Sequence, residues 1–430
     1  MSGEMLVVLL GGREIGRIER DHRGRLVFLY DPKWRALEDA MPLSLSMPLA
    51  AAEHPHARVD AWLWGLLPDN HLILERWGRR FQVSARNAFG LISHVGEDCA
   101  GAVQLVRPER LAAVQAPRRP ELAWLTPRQI GERLARLRLD HSAWRSPEDA
   151  GQFSLTGAQP KTALYFDGRR WGVPAGRTPT THILKPAHGE FAGHIENEHF
   201  CLALARGLGL PAASSEVRRF GAEPAIVVER YDRVRGTGPS SQPVVRLHQE
   251  DLCQALGLLP SAKYQNEGGP GVRDMARLLR DHSSSPAEDV EAFVDALGFS
   301  WLIAGTDAHA KNYSVLHAAG GRVRLAPLYD VASDLPYGFD PHRLRLAMKI
   351  GGQYRLRSVG ARQWRSLASE LRLDADRVVS RLADTVARLP DAATTIAGRA
   401  GRAGLDRRFV ERLADLLAAR AAECGRALGR

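Results

Sequence analysis

The sequence is poor in cysteine and lysine and has no long hydrophobic run. Its four cysteines, Cys99, Cys201, Cys253 and Cys424, have neither metal-ligand spacing nor the density of a disulfide framework, which excludes a small zinc-stapled or disulfide-stapled scaffold. No apolar run approaches the roughly 18 residues that a membrane-spanning helix needs. Charged residues interrupt the apolar amino-terminal segment, so no secretory signal is expected. We therefore expect a cytoplasmic protein with no membrane partner.

Only six of the 59 basic residues are lysines. A lysine ammonium is compact and rotatable, whereas an arginine guanidinium is planar, so the remaining lysines mark positions where the ammonium itself could matter. These lysines are Lys33, Lys161, Lys185, Lys263, Lys311 and Lys349.

What is present is the composition of an ordinary folded protein. The 430 residues are 44% hydrophobic and 25% charged, which excludes a disordered chain and allows two or three domains. The net charge is +10, and the segment 351–430 holds 16 arginines, no lysine and nine acids. That segment fits either the solvated face of amphipathic helices or a contact with nucleic acid, and both interpretations stay open.

The element pattern predicts strands first and helices later, an α+β architecture with two lobes and a cleft between them. We expect a small amino-terminal α+β domain over 1–107, a linker with a bridging helix over 108–150, a β-rich lobe over 151–248 and an α-rich lobe over 249–430. Within the first domain we expect a hairpin that pairs 5–10 with 25–30. The α-rich lobe is expected to begin with a helix over 249–258.

The most informative stretch runs from Gly305 to Asn312. Asp307 and Asn312 have the Asp-x-x-x-x-Asn spacing of a phosphotransferase catalytic loop, in which the Asp accepts the proton of the attacking hydroxyl and the Asn binds a metal ion. Two strand-like segments joined by a glycine turn follow and lead to Asp330. Such a hairpin returns Asp330 to the loop, where kinases place a magnesium-binding Asp.

A phosphotransferase also needs a cation for the nucleotide phosphates. Lys185 ends a predicted strand and precedes a predicted helix that contains Glu196 and Glu198, either of which could pair with it. The segment 152–161 lies where a phosphate-covering loop belongs, although it holds few glycines. His309 is expected to be a structural hydrogen-bonding residue rather than a general base.

These motifs together resemble the HipA family, whose members are serine/threonine kinases that act as toxins of bacterial type II toxin–antitoxin modules. The resemblance covers the chain to about residue 350. It is carried by Ser154-Leu-Thr-Gly-Ala-Gln-Pro-Lys161, Ile183-Leu-Lys185-Pro, Glu196-Asn-Glu-His-Phe-Cys201, Glu229-Arg-Tyr-Asp-Arg233, Gln249-Glu-Asp-Leu-Cys-Gln254, Lys263-Tyr264, Thr306-Asp-Ala-His-Ala-Lys-Asn312 and Leu328-Tyr-Asp330.

The resemblance implies a phosphoinositide-kinase-like variant of the bilobal protein kinase fold, with an all-α carboxy-terminal lobe, and the use of ATP and Mg²⁺. Asp307 would be the catalytic base, Asn312 and Asp330 the magnesium ligands, and Lys185 the phosphate-binding lysine. Ser154 would be an autophosphorylation site whose modification ejects the phosphate loop and switches the kinase off. The implied ATP contacts are Ser154, Leu155, Thr156 and Gly157 of that loop, Glu229, Arg230 and Tyr231 of the interlobe hinge, Lys185, and His309, Lys311 and Asn312 of the catalytic loop.

The resemblance also implies partners. The substrate would be an aminoacyl-tRNA synthetase, chiefly the glutamyl enzyme, and its phosphorylation would stop translation and arrest growth. A small HipB-like helix-turn-helix antitoxin would bind the chain and connect it to operator DNA. Two other classes stay open: a small-molecule phosphotransferase of the antibiotic- or choline-modifying type, and a catalytically weak co-repressor that binds DNA with an antitoxin.

Overall fold

The computed structural model describes residues 4–116, 121–143, 154, 156–157, 159–176, 178–187, 191–236, 244–340, 342–400 and 404–429. The amino-terminal part is a five-stranded antiparallel sheet in the order β4-β3-β2-β1-β5, covered by helices. Its strands are β1 Glu4–Leu10, β2 Arg13–Arg20, β3 Leu26–Tyr30, β4 Glu53–Pro55 and β5 Val103–Val106. Its helices are α1 Pro32–Arg35, α2 His56–Gly65, α3 His71–Phe81 and α4 Ala88–Val95.

The predicted pairing of 5–10 with 25–30 is wrong, because β2 lies between these strands and pairs with both. Five of the eight residues of β2 are charged and three of these are exposed, so its composition resembles a turn. Ile15 and Ile18 nevertheless point into the core and are fully buried. Gly16 between them is required, since a Cβ there would lie 2.1 Å from the carbonyl oxygen of Leu29.

A second sheet forms the β-rich lobe in the order β10-β11-β9-β7-β8-β6. The bridging segment contributes α5 Leu111–Gln115, β6 Glu121–Leu125 and α6 Pro127–Leu139. The lobe itself contains β7 Thr162–Phe166, β8 Trp171–Ala175, β9 His182–Pro186, α7 His194–Gly207, β10 Ser215–Phe220, β11 Glu223–Glu229, β12 Arg233–Arg235 and β13 Val244–Arg246. The predicted bridging helix is α6, which begins with a capping box between Thr126 and Gln129 and has Pro127 at its first position.

The carboxy-terminal lobe is mostly helical but not all-α, which corrects the expectation. Its elements are β14 His248–Asp251, α8 Leu252–Leu256, α9 Val272–His282, α10 Pro286–Leu302, β15 Ser314–Ala318, β16 Arg322–Leu325, β17 Arg345–Ile350, β18 Gln353–Arg355, α11 Ala361–Glu370, α12 Ala375–Ala397 and α13 Arg407–Ala427. The strands form a three-stranded sheet in the order β14-β15-β16 and the hairpin β17-β18.

The predicted helix over 249–258 is wrong in its first half. The carboxylate of Asp251 accepts the backbone N–H of Gln254, and the Gln254 side chain accepts the N–H of Asp251, so this capping box starts α8 at Leu252. The preceding residues then pair with β15. Strand β14 thereby joins the hairpin that follows the catalytic-loop motif.

Each lobe has its own apolar core. Trp62 and Trp77 are buried in the amino-terminal core, and Trp301 and Trp364 meet edge to face in the carboxy-terminal core. No helix within the described ranges is both long and apolar enough to cross a membrane.

A buried ionic network joins the amino-terminal domain to the segment between the lobes. Asp98 accepts from the guanidinium groups of Arg233 at 3.1 Å and Arg246 at 3.2 Å, and Arg230 donates to Asp232 at 2.8 Å. Burial opposes the ionisation of Asp98, but the three arginines outweigh it and lower the pKa of that carboxyl. The amino-terminal domain is therefore fixed against the cleft that the lobes enclose.

Candidate active site

The cleft has a volume of about 390 Å³ and is lined by three parts of the chain. The amino-terminal domain contributes Asp69, the β-rich lobe contributes Lys161 and Lys185, and the carboxy-terminal lobe contributes Asp307 and Asp330. Residues separated by more than 200 positions thus face one space, and the ionisable side chains that the sequence singled out converge there.

Lys185 lies at the end of β9 and bridges two acids. Its Nζ donates to both oxygens of Glu198, at 2.7 and 2.9 Å, and to Oδ1 of Asp330 at 2.7 Å. Burial opposes the charge of Lys185, but the carboxylates of Asp330 and Glu198 outweigh it and raise the pKa of the ammonium. The structure thus selects Glu198 over Glu196 as the partner of Lys185. The same arrangement, a lysine held by a glutamate, positions the nucleotide phosphates in protein kinases.

The local fold explains this placement. Strand β9 pairs with β11 so that Lys185 stands opposite Ile226, and α7 packs against the same sheet. Glu198 shares the buried face of α7 with Ile195 and Leu202, three residues before it and four after it. Those apolar neighbours are the sequence signal that favours Glu198.

Asp330 follows the hairpin β15–β16, as the sequence predicted. Its backbone is left-handed, with φ of 55°, a conformation that a non-glycine residue adopts rarely and mostly at functional sites. Burial would raise the pKa of its carboxyl, but the neighbouring ammonium groups of Lys185 and Lys161 lower it. Asp330 is therefore ionised at neutral pH.

The catalytic-loop motif forms an irregular loop that ends in a single 3₁₀ turn, Ala310–Asn312. The Asn312 side-chain nitrogen donates to the backbone carbonyl of Asp307 at 2.8 Å, and this closes the loop. The side chain of Asp307 is 71% exposed and faces the cleft. A carboxylate that is open to solvent in a cleft can accept the proton of an incoming hydroxyl.

Tyr264 contacts this carboxylate and was not predicted as a site residue. Its hydroxyl donates to Oδ1 of Asp307 at 2.6 Å. Burial, together with the hydrogen bond to Asp307, raises the pKa of the phenol, so it stays protonated. His309 packs edge to face against the Tyr264 ring, and burial lowers the pKa of the imidazole. A neutral, buried His309 agrees with a structural role.

Asp69 was also missed. Its carboxylate pairs with Lys311 of the catalytic loop through Oδ1 and with Lys263 through Oδ2 at 3.1 Å. Burial would raise the pKa of Asp69, but the two ammonium groups outweigh it and lower it. Because Asp69 comes from the loop between α2 and α3, no local pattern near the catalytic motif could have indicated it.

The loop predicted to cover the phosphates lies between the cleft and the amino-terminal domain. Thr156 and Gly157 line the cleft, and the Thr156 carbonyl accepts from Lys161 at 2.6 Å. Burial first, and then the charge of Lys185, lowers the pKa of Lys161 to about 8. Leu155, another predicted ATP contact, lies outside the described residues.

Ser154 is fully buried and does not line the cleft, which differs from its predicted position as an ATP contact. Its hydroxyl donates to the carbonyl of Leu66 at 2.6 Å, and its N–H donates to the carbonyl of Asp98 at 3.0 Å. Both acceptors belong to the amino-terminal domain. Ser154 therefore ties the loop to that domain.

The predicted hinge segment also lines the cleft. Glu229, Arg230 and Tyr231 all border the cavity. The Arg230 side chain is committed to its ion pair with Asp232, and the Tyr231 hydroxyl donates to Gln249. Contacts from Arg230 to a ligand would thus come from its backbone.

The donor set suits a magnesium nucleotide. Mg²⁺ prefers one or two protein oxygens plus substrate phosphates, and no cluster of three or more His, Cys, Asp or Glu that could hold a metal occurs in the described part of the chain. Asp330 supplies a carboxylate. Asn312 commits its amide nitrogen to Asp307, so its oxygen is the atom left for a cation.

The remaining walls suit the other parts of ATP. Lys161 and Lys185 supply positive charge for phosphates. The apolar side chains of Ile183, Val228 and Leu328 line the same cavity, so a flat base could pack between them.

Two family models match the chain: the HipA N-terminal domain over residues 6–106 and the HipA-like C-terminal domain over residues 153–393. One relative, named "Putative kinase Y4mE", from Sinorhizobium fredii, is 35% identical over 98% of each chain. A second, the serine/threonine-protein kinase toxin HipA of Shewanella oneidensis, is 30% identical over 84% of this chain and 82% of its own.

A solved structure has the same fold. It is the Shewanella oneidensis MR-1 toxin–antitoxin complex of HipA, HipB and operator DNA, which matches with a TM-score of 0.82 and 26% identity over 97% of this chain and 96% of that chain.

Proposed function

The chain belongs to the HipA family, and from this premise and the geometry of the cleft we propose that it is an ATP- and Mg²⁺-dependent serine/threonine protein kinase that acts as a toxin. The observation that carries the proposal is the convergence of Lys185, Glu198, Asp307, Asn312 and Asp330 on one cavity. A co-repressor without catalysis would not need this complete set.

In the proposed reaction Asp307 accepts the proton of the substrate hydroxyl as that oxygen attacks the γ-phosphorus of ATP, and the bond between the γ-phosphorus and the β,γ-bridging oxygen breaks, so that ADP leaves. Lys185, held by Glu198, neutralises phosphate charge, and Lys161 adds a second ammonium at the same wall. Asp330 and Asn312 would hold Mg²⁺, which would neutralise charge on the β- and γ-phosphate oxygens. The residues act mainly by positioning and charge neutralisation.

The buried position of Ser154 supports a self-inactivation step. A phosphoserine carries a charge of about −1.5 to −2 at neutral pH, and among the described residues the hydrogen-bond partner of the fully buried Ser154 hydroxyl is the backbone carbonyl of Leu66. A phosphate cannot remain at that place, so phosphorylation of Ser154 would release the loop from Leu66. Thr156 and Gly157 would then leave the cleft wall.

The proposed substrate is an aminoacyl-tRNA synthetase, with the glutamyl enzyme as the first candidate, and the proposed regulator is a HipB-like antitoxin that carries the complex to operator DNA. The partner proposal is supported by the related Shewanella complex with HipB and operator DNA. The net charge of +10 suits anionic partners of this kind.

The test is transfer of labelled γ-phosphate to purified glutamyl-tRNA synthetase. We expect label on the synthetase with the wild type and with Ser154→Ala, and none with Asp307→Asn. If only a different synthetase were labelled, the proposed substrate would change but the proposed kinase activity would stand. Equal labelling by Asp307→Asn would overturn the assignment of the base.

A further inference from the structure

The side chain of Asp69 reaches the catalytic loop from outside the two kinase lobes. It is only 11% exposed, and its two oxygens face two different ammonium groups. Lys311 is 4% exposed, and within the described ranges Asp69 is the one carboxylate at ion-pair distance from it. A buried ammonium without a carboxylate is unfavourable, so Asp69 fixes where Lys311 can lie.

Both partners of Asp69 are joined to the groups that do the chemistry. Lys311 directly precedes Asn312, and its carbonyl accepts from the Tyr329 hydroxyl at 2.6 Å. Lys263 directly precedes Tyr264, the residue that donates to the Asp307 carboxylate. Asp69 thus holds the segments on both sides of the catalytic carboxylate.

The same segment of the amino-terminal domain contacts the phosphate loop. The Leu66 carbonyl accepts from Ser154 at 2.6 Å, and the Asp69 N–H points to the carbonyl of Gly157 at 3.4 Å. Residues 66–69, which we call the clasp, therefore contact the phosphate loop and the catalytic loop at once.

We propose that Asp69 is a positioning residue for phosphoryl transfer, so that the amino-terminal domain is part of the catalytic apparatus and not only a docking module. This inference rests on the proposed kinase function. Both oxygens of Asp69 are taken up by ammonium groups, so we assign it no contact with ATP or with the acceptor hydroxyl. It acts through Lys311 and through the Lys263–Tyr264 segment, which hold Asn312 and Asp307 in place. A displacement of about 1 Å in such groups can cost roughly a hundredfold in rate.

The test compares Asp69→Asn, which keeps the size and removes the charge, with Asp39→Asn. Asp39 lies in the same domain, is 60% exposed and pairs only loosely with Arg13 at 3.8 Å. We expect kcat of Asp69→Asn to fall about ten- to a hundredfold, with the KM for ATP unchanged within about twofold because both oxygens of Asp69 are paired with Lys311 and Lys263. Asp39→Asn should match the wild type in both constants.

A double-mutant cycle with Lys311→Met distinguishes a positioning role of Asp69 from an unspecific effect of the substitution on the fold. If Asp69 acts partly through Lys311, the loss of kcat in the double variant should be smaller than the product of the two single losses, because coupled residues are not additive. Additive losses, a wild-type kcat in Asp69→Asn, or a loss confined to ATP binding would each overturn the inference.

If Asp69→Asn does not fold, Lys263→Gln breaks the other contact of the clasp and should lower kcat several-fold, whereas an unchanged kcat would contradict the proposal. An inactive wild type would instead refute the kinase function.

Discussion

Replacement of Lys185 by methionine should destabilise the protein as well as inactivate it. The side chain of Glu198 is 4% exposed, so Lys185→Met leaves a buried carboxylate without a cation. The loss of one partner of a buried ion pair typically costs about 3–5 kcal/mol. Loss of the ion pair with Asp330 contributes less destabilisation, because Asp330 is about one-third exposed and lies near Lys161. At roughly 2 °C per kcal/mol for a large chain, the melting temperature should fall by about 6–10 °C.

When Glu198→Met is added to the Lys185→Met variant, we expect stability to be restored but not activity. Removal of both charges leaves an apolar pair of similar volume, which is often neutral in stability. Lys185→Met/Glu198→Met should therefore melt within a few degrees of the wild type and still transfer no phosphate.

The assay is thermal unfolding without nucleotide, beside a phosphotransfer measurement. Lys349→Met is the matched control, because Lys349 is exposed and only covers the ring of Tyr354. The reasoning would be refuted if Lys185→Met had the melting temperature of the wild type. It would also be refuted if the double variant lost as much stability as the two single variants together.

Three further outcomes are expected. Tyr264→Phe should lower kcat about tenfold, since a hydrogen bond to a charged group is lost, and steady-state kinetics that show an unchanged kcat would count against this role. Gly193→Ala should cost about 1–3 kcal/mol in denaturant unfolding, because φ is +75° and the new Cβ would lie 2.4 Å from Phe409; a neutral effect would contradict the packing. Burial raises the pKa of Asp251 to about 7, so between about pH 5 and 7 the folded state holds a proton that the unfolded state releases, and stability falls as pH rises. Asp251→Asn can still cap α8 but does not titrate, so its free energy of unfolding should rise relative to that of the wild type by on the order of 2 kcal/mol across that interval. Denaturant unfolding at several pH values measures this difference, and a difference that stays constant with pH would refute the raised pKa of Asp251.

Local signals in the sequence located the catalytic loop. The Asp307–Asn312 spacing, the hairpin after it and Asp330 lie within one short stretch, so a turn and two strands suffice to bring them together. Lys185 was found because it ends a strand beside a helix with acids. Site residues are predictable from the sequence where they lie on elements that are neighbours along the chain.

Contacts between distant segments were not predictable in the same way. Asp69 and Tyr264 reach the catalytic loop from other parts of the chain. Tyr264 stands in one of the motifs of the resemblance, but no local pattern indicated that either residue contacts this loop. Ser154 was assigned to the cleft by its place in a motif, whereas its hydroxyl is held by Leu66 of another domain. Strand β2 was missed because its exposed face is charged.

The most direct test of the central claim is the intact mass of the purified protein after incubation with Mg-ATP, beside Asp307→Asn. The account predicts that the wild type gains one phosphoryl group, located on Ser154 by peptide mapping, while Asp307→Asn binds ATP and gains none. An equal gain in Asp307→Asn would contradict the account, as would a wild type that binds ATP yet phosphorylates neither itself nor any synthetase.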